Sequence, residues 1–207
     1  MWAVLVIFDY TFMNTPLKIG ITGGIGSGKS FVCNLFNSLG APIYQADDRA
    51  KWLMHNNPTI KRAVVRLFGK KAYVNQQLNR KHISSIAFSN IDLLQQLNKV
   101  VHPQVSKDFL NWTLTQQSPY IIKEAALLFE SGTYLELDAI VTINAPKNER
   151  IKRTMLRDKT TKEAVLKRID NQMSDEVKLL NADFIIENDG ITPLLPQIMH
   201  LHRLWTS

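Results

Sequence analysis

Apolar residues along the chain follow two alternating patterns, short continuous runs and repeats at helical spacing. Repeats at every third or fourth residue are typical of helices that bury one face. Runs that are apolar throughout are typical of strands in a parallel sheet covered on both faces. Such runs predict strands over residues 17–22, 41–44, 120–124, 139–143 and 182–187. The pattern therefore predicts an α/β fold with a five-stranded parallel sheet and helices on both faces.

The segment from Gly23 to Ser30 fits G-x-x-x-x-G-K-[ST], the phosphate-binding P-loop, and it lies between a predicted strand and a predicted helix. Its glycines let successive backbone N–H groups converge on one anion, to which the helix N-terminus adds positive charge. Lys29 is predicted to reach the β- and γ-phosphates, and the Ser30 hydroxyl to bind Mg²⁺. The alternative is a glycine-rich turn that binds no ligand. The residues predicted to contact the nucleotide here are Gly24, Ile25, Gly26, Ser27, Gly28, Lys29, Ser30 and Phe31.

Composition narrows the class of ligand and the compartment. The 207 residues suit one core domain with inserted segments, and the net charge of +7 suits an anionic ligand. Nucleic acid is the weaker alternative, because the basic residues are scattered and no recognition motif accompanies them. The single cysteine, Cys33, allows no disulfide within the chain, which favours a reducing cytoplasmic location and an inert buried thiol. The apolar run at residues 4–8 is too short to span a membrane, so no membrane association is expected.

Residues 1–16 are predicted to form an N-terminal extension outside the core. Met13 stands four residues before the first predicted strand. Our hypothesis is that Met13 is the native start and that residues 1–12 are an upstream artefact, which the intact mass of the native protein would decide.

Residues 49–117 carry helical patterns and are predicted to contain no strand. A helical block of this length between two strands predicts an inserted subdomain beside the sheet, where a second substrate could bind. The pair His102-Pro103 is expected to interrupt its last helix. At such a break, His102 either contacts a ligand or serves as a cap or structural contact.

Two acidic residues follow predicted strands at the edge where a doubly wound sheet binds its ligands. Asp47 follows the second strand and could meet the phosphates or an attacking hydroxyl. The alternative is that Asp47 or Asp48 caps a helix that starts near Arg49. Glu124 closes the third strand, where it is either a second acidic contact for Mg²⁺ or a solvated strand end.

Residues 147–172 are predicted to form two short polar helices with a loop between them, which is typical of a mobile lid. Arg150, Arg153 and Arg157 are spaced three and four apart, so they share one helix face. This row is either a solvated charged face or the set of cations that a transferring phosphate requires. Thr160 and Glu163 fit a capping box for the second helix. The turn at 188–190 precedes a last helix that Thr192-Pro193 is expected to open.

Taken together and in this order, the motifs resemble those of the dephospho-coenzyme A kinase family, over residues 17 to about 205. The matching segments are the P-loop, Gln45-Ala46-Asp47, His102-Pro103, Leu127-Leu128-Phe129-Glu130, the arginines from Arg150 to Arg157, Gln172-Met173-Ser174, Ala182-Asp183 and Asn188-Asp189-Gly190. The departures are Gln45 in place of an Asp, Phe31 in place of a hydroxyl residue, Ala126 in place of Pro, and Glu124 where Asp is common.

The resemblance implies a three-layer P-loop kinase fold that uses ATP and Mg²⁺. It divides the chain into a nucleotide-binding core (17–48, 118–146 and 173–207), a helical acceptor-binding subdomain (49–117) and a lid (147–172). The implied reaction is transfer of the ATP γ-phosphate to the ribose 3′-hydroxyl of dephospho-coenzyme A, the last step of coenzyme A synthesis. A monomer or weak homo-oligomer is expected.

The resemblance also implies roles for single residues. Asp47 would accept or orient the proton of the attacking hydroxyl. Lys29, Arg153 and Arg157 would stabilise the transferred phosphate. Asn188 would border the adenine, and Ser30 with Glu124 would hold Mg²⁺. The acceptor contacts would be Asp47, His102, Leu128 and Glu130. The alternatives are another small-molecule or nucleotide kinase on the same fold, or a non-catalytic nucleotide-binding regulator.

Overall fold

The structure, a computed structural model, describes residues 15–87 and 90–207. Its core is a parallel sheet of five strands in the order β2-β5-β1-β6-β7, which confirms the predicted sheet. The hypothesis about Met13 lies outside the described residues. The strands are β1 (Leu17–Thr22), β2 (Ile43–Gln45), β3 (Tyr73–Val74), β4 (Gln77–Leu78), β5 (Tyr120–Glu124), β6 (Ala139–Asn144) and β7 (Phe184–Glu187).

Helices cover both faces of this sheet. They are α1 (Lys29–Ser38), α2 (Ala46–Asn56), α3 (Pro58–Phe68), α4 (Arg80–Ala87), α5 (Ile91–Thr113), α6 (Lys147–Asp158), α7 (Lys162–Asp170), α8 (Asp175–Leu180) and α9 (Leu194–Thr206). Neighbouring strand residues enter different cores, because side chains alternate across a strand. Ile122 packs with α1 and α9, whereas Ile121 packs with α2, α3 and α5. This is the three-layer arrangement that the sequence predicts.

The strand register sets which residues meet at the carboxyl edge of the sheet. β1 lies between β5 and β6, with Ile21 opposite Glu124 on one side and Val141 on the other. Gln45 of β2 also pairs with Glu124. The P-loop, Glu124 and the start of α2 therefore share one edge, as expected for a ligand crevice in an open α/β sheet.

The prediction that residues 49–117 contain no strand is wrong. β3 and β4 form a small antiparallel hairpin inside this region. Its two turn residues, Asn75 and Gln76, have φ angles of 48° and 64°. Tight hairpin turns need positive φ at both central residues, and Asn-Gly is their usual sequence signal. Asn-Gln lacks the glycine, so the sequence pattern does not reveal this turn.

The predicted helix break at His102-Pro103 is also wrong, since α5 continues through Pro103. Buried residues recur every four positions on both sides of the proline, at Leu97, Val101, Val105 and Phe109. This uninterrupted apolar face packs against the same core. Pro103 lies on the exposed side of the helix, where a carbonyl that loses its N–H partner can bond water. Packing therefore outweighs the local helix-breaking tendency.

Two smaller differences concern helix ends, and a third concerns a whole helix. The N-cap of α7 is Thr161 rather than Thr160, and its side chain accepts a bond from the backbone N–H of Ala164. The last helix begins at Leu194, with Pro193 as its N-cap rather than its first residue. Helix α8 is not predicted at all, although Ser174 caps it with acidic residues in the first turn. Within residues 15–87 and 90–207, every helix is too short or too polar to cross a membrane.

Candidate active site

The P-loop, Gly23–Ser30, curls between the end of β1 and the start of α1. Gly23, Gly26 and Gly28 have φ angles of 149°, 77° and 97°, which residues with a Cβ rarely adopt. Helix α1 starts at Lys29, directly after Gly28. The loop therefore brings backbone N–H groups and the positive end of a helix to one point, which is the arrangement that binds phosphate.

Helix α6 packs closely on two positions of the P-loop, and at Gly26 its backbone leaves no room for a side chain. A Cβ at Gly24 would collide with the guanidinium of Arg150. A Cβ at Gly26 would collide with the backbone carbonyl of Arg150 and lie 2.6 Å from Thr154 Oγ1. Arg150 is only 2% exposed, and its Nη2 bonds Asp175 Oδ2 at 2.5 Å. The first helix of the predicted lid is therefore in direct contact with the phosphate-binding loop.

Asn188 links the P-loop to α6 from the other side. Its side-chain Nδ2 donates to the backbone carbonyl of Ser27 at 2.7 Å. The backbone carbonyl of Asn188 accepts from Arg153 Nη2 at 3.1 Å. Gln172 makes a third link, because its Oε1 accepts the N–H of Ile25 at 2.9 Å. The loop is thus held by segments that are more than a hundred residues away in sequence.

Several buried polar atoms around the P-loop have no hydrogen-bond partner among the described residues. They lie on the end of β1, on the P-loop itself, and on helices α6 and α8. A buried polar group left without a partner costs about 1–3 kcal/mol, so such a cluster needs an explanation. A phosphate chain, with its many acceptor oxygens, would supply partners for them. The atoms are Thr22 Oγ1, Ser27 Oγ, Arg150 Nε, Arg153 Nη1 and Lys178 Nζ.

Lys178 is the member of this cluster that sequence reasoning missed. It is 0% exposed, and its Nζ lies 3.2 Å from Glu130 Oε1 without forming a hydrogen bond. Glu130 also accepts the N–H of Met173 at 2.8 Å. The Ser174 cap and the acidic first turn of α8 could have revealed the helix, but no pattern shows that this lysine points inward.

Charges of both signs meet beside the P-loop. Lys29 Nζ donates to the carbonyl of Gly23 at 2.9 Å. Burial lowers the pKa of Lys29, while the carboxylates of Glu124 and Asp47 oppose that change and Lys178 adds to it. Burial raises the pKa of Glu124, and Asp47 raises it further, whereas Lys29 opposes the increase. The two predicted carboxylates and the P-loop lysine therefore act on one another at the same edge of the sheet.

Asp47 lies in the first turn of α2, whose N-cap is Gln45. The interpretation that Asp47 or Asp48 caps this helix is therefore wrong. Both side chains are exposed, and Asp48 Oδ1 pairs with Lys51 Nζ at 2.5 Å. Asp47 thus presents a solvent-accessible carboxylate at the carboxyl edge of the sheet.

The remaining predicted contacts lie in different surroundings. Arg157 is largely exposed and pairs with Asp158, which also binds Arg168. Leu128 is fully buried and packs near Gly20, so its side chain belongs to the core. Ser30 and Phe31 are exposed in the first turn of α1.

His102 lies inside α5 and lines a cavity. Burial lowers the pKa of this histidine, and the charge of Lys123 lowers it further. The neutral imidazole is therefore favoured there.

The donor sets at this site suit a nucleotide better than an isolated metal ion. Across residues 15–87 and 90–207, no three or more His, Cys, Asp or Glu side chains form a cluster that could hold a metal by themselves. Mg²⁺ bound with a nucleotide usually takes one or two protein ligands and completes its shell with phosphates and water. The Ser30 hydroxyl and the Glu124 carboxylate fit that smaller requirement.

Comparisons with known proteins agree with this geometry. The family model described as CoaE: Dephospho-CoA kinase matches residues 17–193. A dephospho-CoA kinase of Bacteroides fragilis (strain YCH46) is 39% identical over 186 residues, which cover 89% of this chain and 91% of that protein.

Two solved structures are similar over nearly the whole chain. The crystal structure of TT1252 from Thermus thermophilus has a TM-score of 0.80 and 34% identity, covering 92% of this chain and 96% of that one. A dephospho-CoA kinase from Campylobacter jejuni has a TM-score of 0.67 and 28% identity, covering 91% and 96%. With a family model that spans residues 17–193 and a relative 39% identical over most of both chains, the chain belongs to the dephospho-CoA kinase family.

Proposed function

We propose that this chain transfers the γ-phosphate of ATP to the ribose 3′-hydroxyl of dephospho-CoA and so forms CoA. The observation that carries the proposal is the group of buried, unpartnered polar atoms that surrounds the P-loop. Membership of the dephospho-CoA kinase family selects the acceptor from those that the fold could serve.

ATP binding rests on the P-loop backbone and the cations packed around it. The N–H groups from Gly26 to Ser30 cradle the phosphates, and Lys29 can leave the Gly23 carbonyl to reach the terminal ones. Arg150 and Arg153 lie on the α6 face that contacts the loop, with Nε and Nη1 available as donors. Fixed donors of this kind stabilise the charge that spreads over the transferred group.

Mg²⁺ would be held by the Ser30 hydroxyl and the Glu124 carboxylate together with the phosphates. Bound there, the ion would neutralise charge on the β- and γ-phosphates. Glu124 is suited to the role because it is buried at the end of β5, next to Lys29, and its position is fixed by β-pairing on both sides.

Asp47 is proposed to orient the acceptor hydroxyl and to accept its proton. Its carboxylate is exposed in the first turn of α2, at the carboxyl edge of the sheet. Positioning is expected to supply most of the rate increase, because phosphoryl transfer needs little covalent chemistry from the protein.

The structure changes the roles that we propose for Arg157 and Glu130. Arg157 would first have to leave Asp158 to reach a phosphate, so Arg150 and Arg153 are the preferred phosphate contacts. Glu130 is proposed to hold Lys178 and the backbone of Met173, and thereby the base of the lid (147–172). Asn188, which binds the P-loop carbonyl of Ser27, remains the proposed border of the adenine.

The proposal also covers the cellular location and the oligomeric state of the enzyme. The single cysteine, Cys33, is buried and burial raises the pKa of its thiol, so it is inert and suits a reducing cytoplasm. A monomer or weak homo-oligomer is proposed as the working state.

The test is release of ADP from Mg-ATP with dephospho-CoA, beside parallel reactions with adenosine, AMP, CMP and no acceptor. We expect ADP release only with dephospho-CoA, and CoA as the product by mass spectrometry. Release with another acceptor instead would keep the fold and mechanism but reject the substrate. Tight ATP binding without ADP release under any of these conditions would favour the alternative of a non-catalytic nucleotide-binding regulator.

A further inference from the structure

One carboxylate on α5, that of Asp108, binds two residues that flank Asp47 in sequence. Asp108 Oδ1 accepts from Arg49 Nη2 at 2.6 Å, and its Oδ2 accepts from Arg49 Nε at 2.8 Å. The hydroxyl of Tyr44 donates to the same Oδ2 at 2.7 Å. Tyr44 lies on β2, three residues before Asp47, and Arg49 lies on α2, two residues after it. Asp108 therefore holds the segment that carries Asp47 from both ends.

The bonds between Arg49 and Asp108 fix a direction as well as a distance. Two parallel N–H···O bonds between a guanidinium and a carboxylate set the relative orientation of both groups. The Asp108 side chain is only 20% exposed, and the Arg49 guanidinium also lies 4.4 Å from the centre of the Trp52 ring. The hydrogen bonds from Arg49 lower the pKa of Asp108, burial opposes this change, and the bond from Tyr44 lowers the pKa further. The carboxylate is therefore ionised at neutral pH and keeps both of its partners.

Tyr44 is the rigid partner of Asp108. It is 2% exposed, and its ring centre lies 5.1 Å from that of Phe109 and 5.3 Å from that of Trp112, both on α5. Burial raises the pKa of the Tyr44 hydroxyl, and the hydrogen bond to Asp108 raises it further, so the hydroxyl remains a neutral donor. The end of β2 is thus fixed to α5 both by ring packing and by a hydrogen bond.

These contacts lie on the side of α2 that faces away from the phosphate site. Residues two apart on a helix are rotated by about 200°, so Asp47 and Arg49 point in nearly opposite directions. The Asp47 carboxylate acts on the pKa of Lys29 and of Glu124, which places its charge beside the P-loop. Arg49 instead reaches Asp108 on α5. Asp108 would therefore affect the site through the position of α2.

We propose that Asp108 is a positioning residue, which holds the Asp47 carboxylate in line with the acceptor hydroxyl by binding Tyr44 and Arg49. The assignment rests on the proposed function, in which Asp47 orients that hydroxyl and accepts its proton. Phosphoryl transfer depends mainly on positioning, and a displacement of about 1 Å can cost about 100-fold in rate. A residue that touches no reacting atom can therefore still control kcat.

The test compares two carboxylates that make similar contacts at opposite edges of the sheet. Asp108→Asn is the test variant and Asp138→Asn is its control. Asp138 Oδ2 accepts the backbone N–H of Lys18 at 2.7 Å, and its Oδ1 lies 3.6 Å from Lys18 Nζ, near the start of β1. Tyr44→Phe is the second variant, because it removes only the hydroxyl and keeps the packed ring. Thermal unfolding of each variant shows whether it is folded, and Tyr44→Phe replaces Asp108→Asn in every comparison if the latter does not fold.

We expect Asp108→Asn to lower kcat about 10- to 100-fold while KM for ATP stays as in the wild type. Asp138→Asn should keep the wild-type kcat, and Tyr44→Phe should lower kcat less than Asp108→Asn. The decisive comparison adds Asp108→Asn to Asp47→Asn. In that background it should lower kcat no further, because the group that Asp108 positions is already lost.

Three results would overturn the assignment. They are an unchanged kcat in Asp108→Asn, an equal fall in Asp138→Asn, and a fall of the same factor with and without Asp47. If the wild type made no CoA at all, the proposed function would fail instead. Hydrogen exchange of the α2 backbone amides would then decide on the positioning role. Faster exchange in Asp108→Asn than in Asp138→Asn would support it, and equal exchange would overturn it.

Discussion

Replacing Gly26 by alanine tests whether helix α6 packs directly on the P-loop. Gly26 has a φ of 77°, and its added Cβ would meet the backbone carbonyl of Arg150 and Thr154 Oγ1. Gly40 is a matched control in the same chain. Its φ is 91°, but a Cβ there would have no atom within 4 Å. Both substitutions impose the backbone penalty, and only Gly26→Ala adds the collision.

The two contributions can be separated in size. A residue with a Cβ in the left-handed region costs about 1–2 kcal/mol, which applies to both variants. Overpacking a well-filled contact adds about 1–3 kcal/mol, which applies to Gly26→Ala alone. The obstructing atoms belong partly to helix backbone, so rotation of a side chain cannot relieve the contact. We therefore expect Gly26→Ala to lower the free energy of unfolding by about 2–5 kcal/mol and Gly40→Ala by about 1–2 kcal/mol.

Urea unfolding without nucleotide, followed by circular dichroism, measures both values. The excess for Gly26→Ala should also lower Tm by about 2–4 °C for each kcal/mol in a domain of this size. Equal destabilisation of the two variants would show that α6 does not pack on Gly26, and it would refute the positioning of Arg150 and Arg153. An isothermal titration with ATP should show weaker binding only for Gly26→Ala.

Other predictions concern the catalytic charges. Asp47→Asn should lower kcat by about two to four orders of magnitude, the usual effect of losing an acid–base group. Asp48→Asn is the control and should keep the wild-type kcat. Equal kcat values for the two variants in steady-state assays would disprove the proposed acid–base role of Asp47. Lys29→Ala should abolish turnover with its circular dichroism spectrum intact, and retained turnover with ATP would disprove the P-loop assignment. Because the pKa of Glu124 is raised above 4.5 in the folded protein, its contribution to stability falls as pH rises through that pKa. Glu124→Gln should therefore unfold at higher urea than wild type at neutral pH yet turn over more slowly, and a loss of stability at that pH would contradict the burial argument.

The sheet and the P-loop are predictable from the sequence because their signals are local. Five apolar runs set the strands, and the pattern from Gly23 to Ser30 contains both the required glycines and the helix start. Asp47, which follows β2, and Glu124, which ends β5, lie at the carboxyl edge as predicted, since parallel strands share a carboxyl end.

The features that the sequence misses depend on contacts between distant segments. Pro103 is a local helix breaker, yet buried residues every four positions carry α5 past it. Lys178 resembles any surface lysine in sequence, and only the packing of α8 against β6 and Glu130 shows that it is buried. The Asn75-Gln76 turn reverses the chain without a glycine. In each case the tertiary environment overrides a local tendency.

These distant contacts lead us to expect that nucleotide binding affects how α6 packs on the P-loop. The unpartnered polar atoms come from β1, the P-loop, α6 and α8, so segments distant in sequence share unmet hydrogen-bonding capacity near the P-loop. Each such atom costs about 1–3 kcal/mol while it is buried without a partner, and a phosphate chain removes several of these costs together. Arg150 and Arg153 belong to α6, whereas Ser27 belongs to the P-loop. A polyphosphate that bonds atoms of both segments would favour the packing of α6 on the P-loop, and we therefore expect nucleotide binding and this packing to be coupled.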